Sequence, residues 1–265
     1  MIGAIVGDTV GSAYEFNNVR SKRFPLFTAD SRPTDDSVMT FAIAEIIRNG
    51  WQYDRAQVVS TIKKWGRAYP RAGYGGRFRR WLFSDNEQPY NSCGNGAAMR
   101  ISPVGWYAET EEQVKEWSRL VTEVTHNHPE GLKGAEVVAM CIYYARKGES
   151  KAFIKAYAEQ YYSLDFDYKD LRKNYRFDET CQESVPQAIF CFLISNSFTD
   201  CLRTTISIGG DCDTTAAISC AIAEAFYGKV PASLGKKTYE LLSDEMRLGW
   251  LHYIGDKYLD ITETD

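Results

Sequence analysis

Apolar residues recur along this chain at intervals of three and four, the spacing that lays one stripe along a helix. Val38, Phe41, Ala42, Ile46 and Ile47, with Glu45 among them, predict a helix that starts just after Asp36 and stops near Gly50. Val114, Trp117, Leu120, Val121 and Val124 give a core-facing stripe on a second one. Residues 134–146 are small and apolar, as a buried helix requires, and residues 185–194 read the same way. Phe153, Tyr157 and Tyr161 keep a period of four, as do Ile218, Ile222 and Phe226 in the Ala-rich run 214–227. No series of alternating strands with hairpin turns appears. The pattern predicts an all-α protein, in one domain over residues 1–265.

Two stretches break the periodicity. Residues 63–96 are full of Gly, Arg, Pro and aromatics, including Arg71-Ala72-Gly73-Tyr74-Gly75-Gly76-Arg77, and residues 164–178 alternate charges with aromatics. Long loops inside compact domains are usually functional or mobile. The first is expected to line a site and the second to be a surface connection.

The chain's 265 residues suffice for a sizeable core. A net charge of -4 argues against electrostatic binding of nucleic acid as the main activity. Arg71, Arg77, Arg79 and Arg80 suit a solvated basic face at least as well as a grip on phosphates. Seven cysteines, an odd number with no CxxC pair, favour reduced thiols over a disulfide framework. Met1 to Val6 is apolar but lacks a basic flank, Asp8 interrupts it, and no run is long enough to span a bilayer. A cytoplasmic protein without a membrane partner is expected.

Chemistry concentrates in two short acidic clusters, Thr34-Asp35-Asp36-Ser37 and Gly209-Gly210-Asp211-Cys212-Asp213-Thr214-Thr215, each running directly into an apolar helix. One Asp at a helix start is explained by N-capping and the helix dipole. Capping does not explain the second cluster's pair of aspartates with both threonines. Crowded carboxylates repel unless protons or cations intervene, and a hard divalent ion bound through oxygen is the natural resident if the clusters meet. Asp211-Cys212-Asp213-Thr214-Thr215 also fits the DxDxT pattern of haloacid-dehalogenase-type phosphatases, whose first Asp is a nucleophile. That motif should follow a buried strand near the start of an α/β domain, whereas here it opens a helix near the end of an all-α chain.

With these clusters in place, the chain resembles the ADP-ribosylglycohydrolase family. The matching pieces are Gly3-Ala4-Ile5-Val6-Gly7-Asp8-Thr9-Val10-Gly11 with Glu15, then Thr34 to Ser37, Ser92-Cys93-Gly94-Asn95-Gly96-Ala97-Ala98-Met99-Arg100, Thr125-His126, and Gly209 to Thr214, in the family's order. The resemblance implies a compact orthogonal helical bundle that holds two magnesium or manganese ions. It implies Thr34, Asp35, Asp36, Asp211, Asp213 and Thr214 as metal ligands. It implies a ligand-binding loop of Ser92, Cys93, Gly94, Asn95, Gly96, Ala97 and Ala98, with Asp35 and His126 also near the ADP-ribose. A glycine-rich loop presents backbone amides to a pyrophosphate without steric hindrance. Two histidines without carboxylate or thiol partners are a poor metal signal, so His126 is read as a pocket-wall residue and His128, before Pro129, as a loop residue.

The function so implied is hydrolysis of the glycosidic bond between ADP-ribose and an acceptor, which is a protein side chain, a nucleic acid or a small molecule. Asp36 and Glu15 are the candidates for the general base. The alternatives are a protein that binds ADP-ribose or serves a structural role on the same fold without catalysis, and a metal-dependent phosphohydrolase. Nucleic acid would be a partner only as the ADP-ribosylated acceptor, and an enzyme of this size is expected to work as a monomer. The helix after the second cluster often carries glycines in relatives. Here Ala216, Ala217, Ser219 and Cys220 are small enough for close packing, while the larger Glu224 is expected on an exposed edge.

Overall fold

The computed structural model describes residues 1–254. Among them the regular structure is helical, and the one β-type contact is an isolated bridge between Gly94 and Thr180. The first half holds α1 (Ile2–Gly11), α2 (Asp35–Arg48), α3 (Arg55–Ala68), α4 (Gly76–Phe83), α5 (Gly96–Met99), α6 (Ser102–Tyr107) and α7 (Glu111–Thr122). There follow α8 (Pro129–Arg146), α9 (Lys151–Ala158), α10 (Tyr168–Asn174), α11 (Cys181–Ile194) and α12 (Phe198–Ile208). Then come α13 (Cys212–Tyr227), α14 (Ala232–Leu241) and α15 (Asp244–Gly249). The expected all-α class is what the chain adopts. The described cysteines are free thiols, and no described helix is long and apolar enough to cross a membrane.

The centre of the molecule is the pair α1 and α13. Every residue of α1 is buried, and α13 is buried from Cys212 to Ala225. Gly3, Gly7 and Gly11 stand one turn apart on the face of α1 that meets α13. A Cβ at Gly11 would lie 2.5 Å from Asp213 Cα, and at Gly3 and Gly7 it would collide with the carbonyl oxygens of Cys220 and Ala216. The two backbones therefore touch, and the small residues of α13 permit it from the other side. Gly7→Ala tests the point, because helix propensity alone favours Ala by about 1 kcal/mol. Overpacking against backbone should win instead and destabilise the protein by about 2 kcal/mol or more, read by denaturant unfolding. A stabilised variant would refute the close approach.

Glu224 corrects an expectation. It is buried rather than on an exposed edge, because α13 turns it back along the start of α1. The Gly3 N–H donates to Glu224 Oε2 (2.7 Å), and the Met1 amino group lies 2.5 Å from the same oxygen. The carboxylate thereby satisfies the Gly3 amide left open at the helix start and pairs with the Met1 amino group.

The two irregular stretches are also more helical than their composition suggests. Within residues 63–96, α4 hides Phe78, Trp81 and Leu82 on one face and sends Arg77, Arg79 and Arg80 outward, so its arginines disguise an amphipathic helix. Residues 164–178 are not merely a surface connection, since they contain α10 and bury Leu171 and Tyr175 in a small satellite core with Cys191 and Ile208. The buried α12 carries Thr204, Thr205 and Ser207, whose hydroxyls donate to the carbonyls of Asp200, Cys201 and Thr204. Satisfied in this way, polar residues enter a core that hydropathy would not assign to them.

Candidate functional site

The two acidic clusters meet where α1 ends and where α2 and α13 begin. The anchor is Asp8, fully buried on α1, which sequence reasoning did not single out as a site residue although it lies in Gly7-Asp8-Thr9. Its carboxylate accepts from the Thr34 hydroxyl (2.6 Å), from the Thr34 amide (2.9 Å), from the Ser37 amide (3.0 Å) and from the Ser37 hydroxyl. An ionisable group inside an otherwise apolar run was the signal for it. Because Thr34 gives its hydroxyl proton to Asp8, that oxygen keeps a lone pair beyond the one that caps α2.

Capping does not use up the aspartates. Thr34 caps α2, accepting from the Asp36 amide (3.4 Å), so the helix begins at Asp35 rather than after Asp36. Asp211 stands at the cap position of α13 but makes no side-chain cap bond there, and Asp213 Oδ1 accepts from the Thr214 amide (2.9 Å). Thr214 Oγ1 donates to Asp36 Oδ1 (3.3 Å), which joins the clusters across the fold. Asn95 Nδ2 donates to Asp211 Oδ2 (2.7 Å) and to Ser184 Oγ (3.0 Å), which brings in the glycine loop. Glu15, Asp211 and Asp213 each offer an oxygen within 4.8 Å of the others.

Electrostatics mark this region as strained by like charge. Burial, then the charge of Asp211, pushes Glu15 up to about 7. Burial, then the charge of Asp8, holds Asp35 and Asp36 well above the usual carboxylate range. Asp213 is raised by burial and then by Asp211, Asp36 and Glu15. Among the described residues none of these carboxylates forms an ion pair with Lys or Arg. Asp36 Oδ2 is buried with no hydrogen-bond partner. An all-oxygen donor set with uncompensated charge and an orphaned buried oxygen fits hard divalent cations.

A cavity of about 270 Å³ opens over these groups. Glu15, Thr34, Asp35, Asp36, Asp211, Asp213 and Thr214 line it together with Ser92, Gly94, Asn95, Gly96 and His126. Cys93, Ala97 and Ala98 do not line it. The Cys93 carbonyl accepts from the Cys181 amide (3.0 Å), and the two alanines are buried on α5. Residues of the stretch 63–96 contribute Gly73, Arg77, Phe78 and Tyr90, but Arg71, Arg79 and Arg80 lie outside. Arg77 stacks over the Tyr90 ring (5.1 Å) and donates to the Tyr90 carbonyl. Phe177, from the end of the supposed surface connection, reaches the cavity and stacks on Phe16 with ring centroids 6.0 Å apart. His128 caps α8, accepting from the Glu130 amide through Nδ1 (3.1 Å).

Known proteins place this geometry in context. A family model described as ADP-ribosylglycohydrolase matches residues 1–262. The Homo sapiens protein ADP-ribosylhydrolase ARH3 is 27% identical over 312 residues, covering 88% of this chain and 86% of that protein. The ADP-ribosyl-dinitrogen reductase glycohydrolase of Rhodospirillum rubrum is 24% identical over 257 residues, covering 86% and 84%. A solved ADP-ribosylglycohydrolase-related protein complex shares the fold, with a TM-score of 0.69 at 22% identity over 96% of each chain.

Proposed function

The chain belongs to the ADP-ribosylglycohydrolase family, and from that premise we propose that it hydrolyses the glycosidic bond between ADP-ribose and an acceptor, releasing ADP-ribose. The observation that carries the reading is one cavity lined both by carboxylates that, among the described residues, lack a Lys or Arg ion pair and by a glycine loop with His126, Arg77 and Arg100. A ligand with a cation-binding sugar and an anionic diphosphate matches both sets. Thr34, Asp35, Asp36, Asp211, Asp213 and Thr214 would hold two magnesium or manganese ions. When bound, such ions supply a Lewis acid that orients the ribose hydroxyls and lowers the pKa of water.

The residues themselves do the rest. Glycosidic cleavage builds positive charge on the sugar, and the clustered carboxylates present the field that stabilises it. Glu15, raised to about 7, is suited to take a proton from water near neutral pH. Asp36 is hydrogen-bonded by Thr214 and buried, which makes it the better positioning ligand. Gly94 and Gly96 let the diphosphate approach the backbone, and Arg77 adds charge at the rim.

The deciding experiment incubates the protein with ADP-ribose linked to arginine, serine, a nucleic-acid end and an acetyl group, with and without magnesium. Release of ADP-ribose from at least one substrate, at least about tenfold faster with the ion, is expected. Release of phosphate instead would favour a phosphohydrolase. Binding of ADP-ribose without turnover of any substrate would make the chain a binding protein.

A further inference from the structure

His126 is the one cavity-lining histidine, and what it offers a ligand depends on which ring nitrogen carries the proton. Its Nδ1 lies 2.8 Å from Thr125 Oγ1, and Arg100 donates an N–H to that same oxygen at 2.8 Å. Thr125 is completely buried, Arg100 is 1% exposed and His126 5%. No other described group is hydrogen-bonded to the Thr125 hydroxyl.

Proton counting then selects a tautomer. A guanidinium has only donors, so Thr125 Oγ1 accepts from Arg100. The single hydroxyl proton has one acceptor within reach, a bare Nδ1 on His126. If Nδ1 carried the proton instead, it and Arg100 would both donate to Thr125, leaving a buried hydroxyl proton unpaired, an arrangement folded proteins avoid. With Nδ1 filled from behind, Nε2 carries the hydrogen on the side of the glycine loop. A Cβ at Gly96 would lie 3.2 Å from Nε2, and one at Gly94 3.7 Å.

We propose that Arg100 and Thr125 are positioning residues that hold His126 as a neutral Nε2–H donor aimed at an oxygen of the bound ADP-ribose. The identity of the ligand rests on the function proposed above, whereas the tautomer does not. Burial, then the charges of Arg100 and Arg77, keeps the imidazole well below its ordinary pKa, so it stays neutral. Arg100 itself is held without a carboxylate partner by stacking over Phe78 (5.7 Å), and its Nε has no hydrogen-bond acceptor. The relay therefore explains a buried, unpaired cation that the acidic half of the site does not use.

The test is long-range proton–nitrogen NMR of the imidazoles in the full chain with magnesium present, His126→Asn assigning the signal, alongside calorimetric titration with ADP-ribose. The wild type should show His126 protonated on Nε2. Thr125→Val, which keeps the shape and removes the hydroxyl, should lose that tautomer preference and weaken ADP-ribose binding about tenfold, and Thr125→Ser should restore both. Arg100→Met removes the N–H that Thr125 Oγ1 accepts but leaves Nδ1 as the acceptor for the hydroxyl proton, so the Nε2–H tautomer should persist with a weaker preference. A wild-type His126 protonated on Nδ1 overturns the relay even if no variant folds. Unchanged tautomer and affinity in Thr125→Val overturn it as well. If the wild type shows the expected tautomer but does not bind ADP-ribose, the relay stands and the proposed ligand falls.

Discussion

Asp213→Asn should cut turnover by about 10²–10³-fold and leave the fold intact, with the ion-free protein as stable as the wild type or more so. Asn keeps the acceptor for the Thr214 amide that Asp213 Oδ1 provides. It removes one negative charge from the group formed with Glu15 and Asp211, whose oxygens lie within 4.8 Å. Like charges in a buried setting destabilise, so folding loses nothing by the change. Catalysis loses a ligand whose ion contributes several kcal/mol of charge stabilisation, which corresponds to a rate drop of about 10²–10³-fold. Asp35→Ala, at a partly exposed position, should behave alike. Circular dichroism and ADP-ribose release measured on the same preparations decide it. Wild-type turnover in either variant would remove the acidic cluster from the mechanism, and an unfolded Asp213→Asn would show its role to be structural.

Magnesium or manganese should raise the melting temperature, and by more at higher pH. Glu15 is ordinary at 4.5 and is raised to about 7 in the folded protein by burial and the charge of Asp211. A carboxyl whose folded pKa lies above its unfolded one binds more protons when folded. Its contribution is complete below the unfolded value and is lost as pH rises through the folded value. The ion-free protein should therefore weaken between about pH 4.5 and 7, with Asp36 and Asp213 extending the loss in the same direction. Ions favour the ionised carboxylates and offset that loss. At a hundred times its dissociation constant an ion adds about 2.7 kcal/mol, or roughly 5–10 °C for a protein of this size. Potassium chloride at matched ionic strength is the control. An equal response to both salts, or one that does not change with pH, would contradict a divalent site at these carboxylates.

Much of the helical framework was legible because its periodicity is strong. The stripes around Val38 to Ile47 and Ile218 to Phe226 correspond to α2 and α13, and the acidic cluster before each was visible as a cluster. What failed was reading elements whose chemistry hides their burial. The arginines of α4 concealed Phe78, Trp81 and Leu82, and α12 carries hydroxyls satisfied by its own carbonyls. Glu224 was misjudged for a related reason, since its partners, the Gly3 amide and the Met1 amino group, lie at the other end of the chain.

By itself the sequence determined the all-α class, the order of the motifs and the presence of more carboxylates than capping can use, because these depend on neighbours a few residues apart. Only the tertiary structure decided that the clusters share one cavity, that Asp8 clamps Thr34 and Ser37 beneath it, and that Arg100 stands behind His126. The contact between Thr214 and Asp36 spans 178 positions. No local pattern encodes such a contact. It follows from α1 and α13 packing backbone to backbone along Gly3, Gly7 and Gly11, which brings the ends of distant helices to one point.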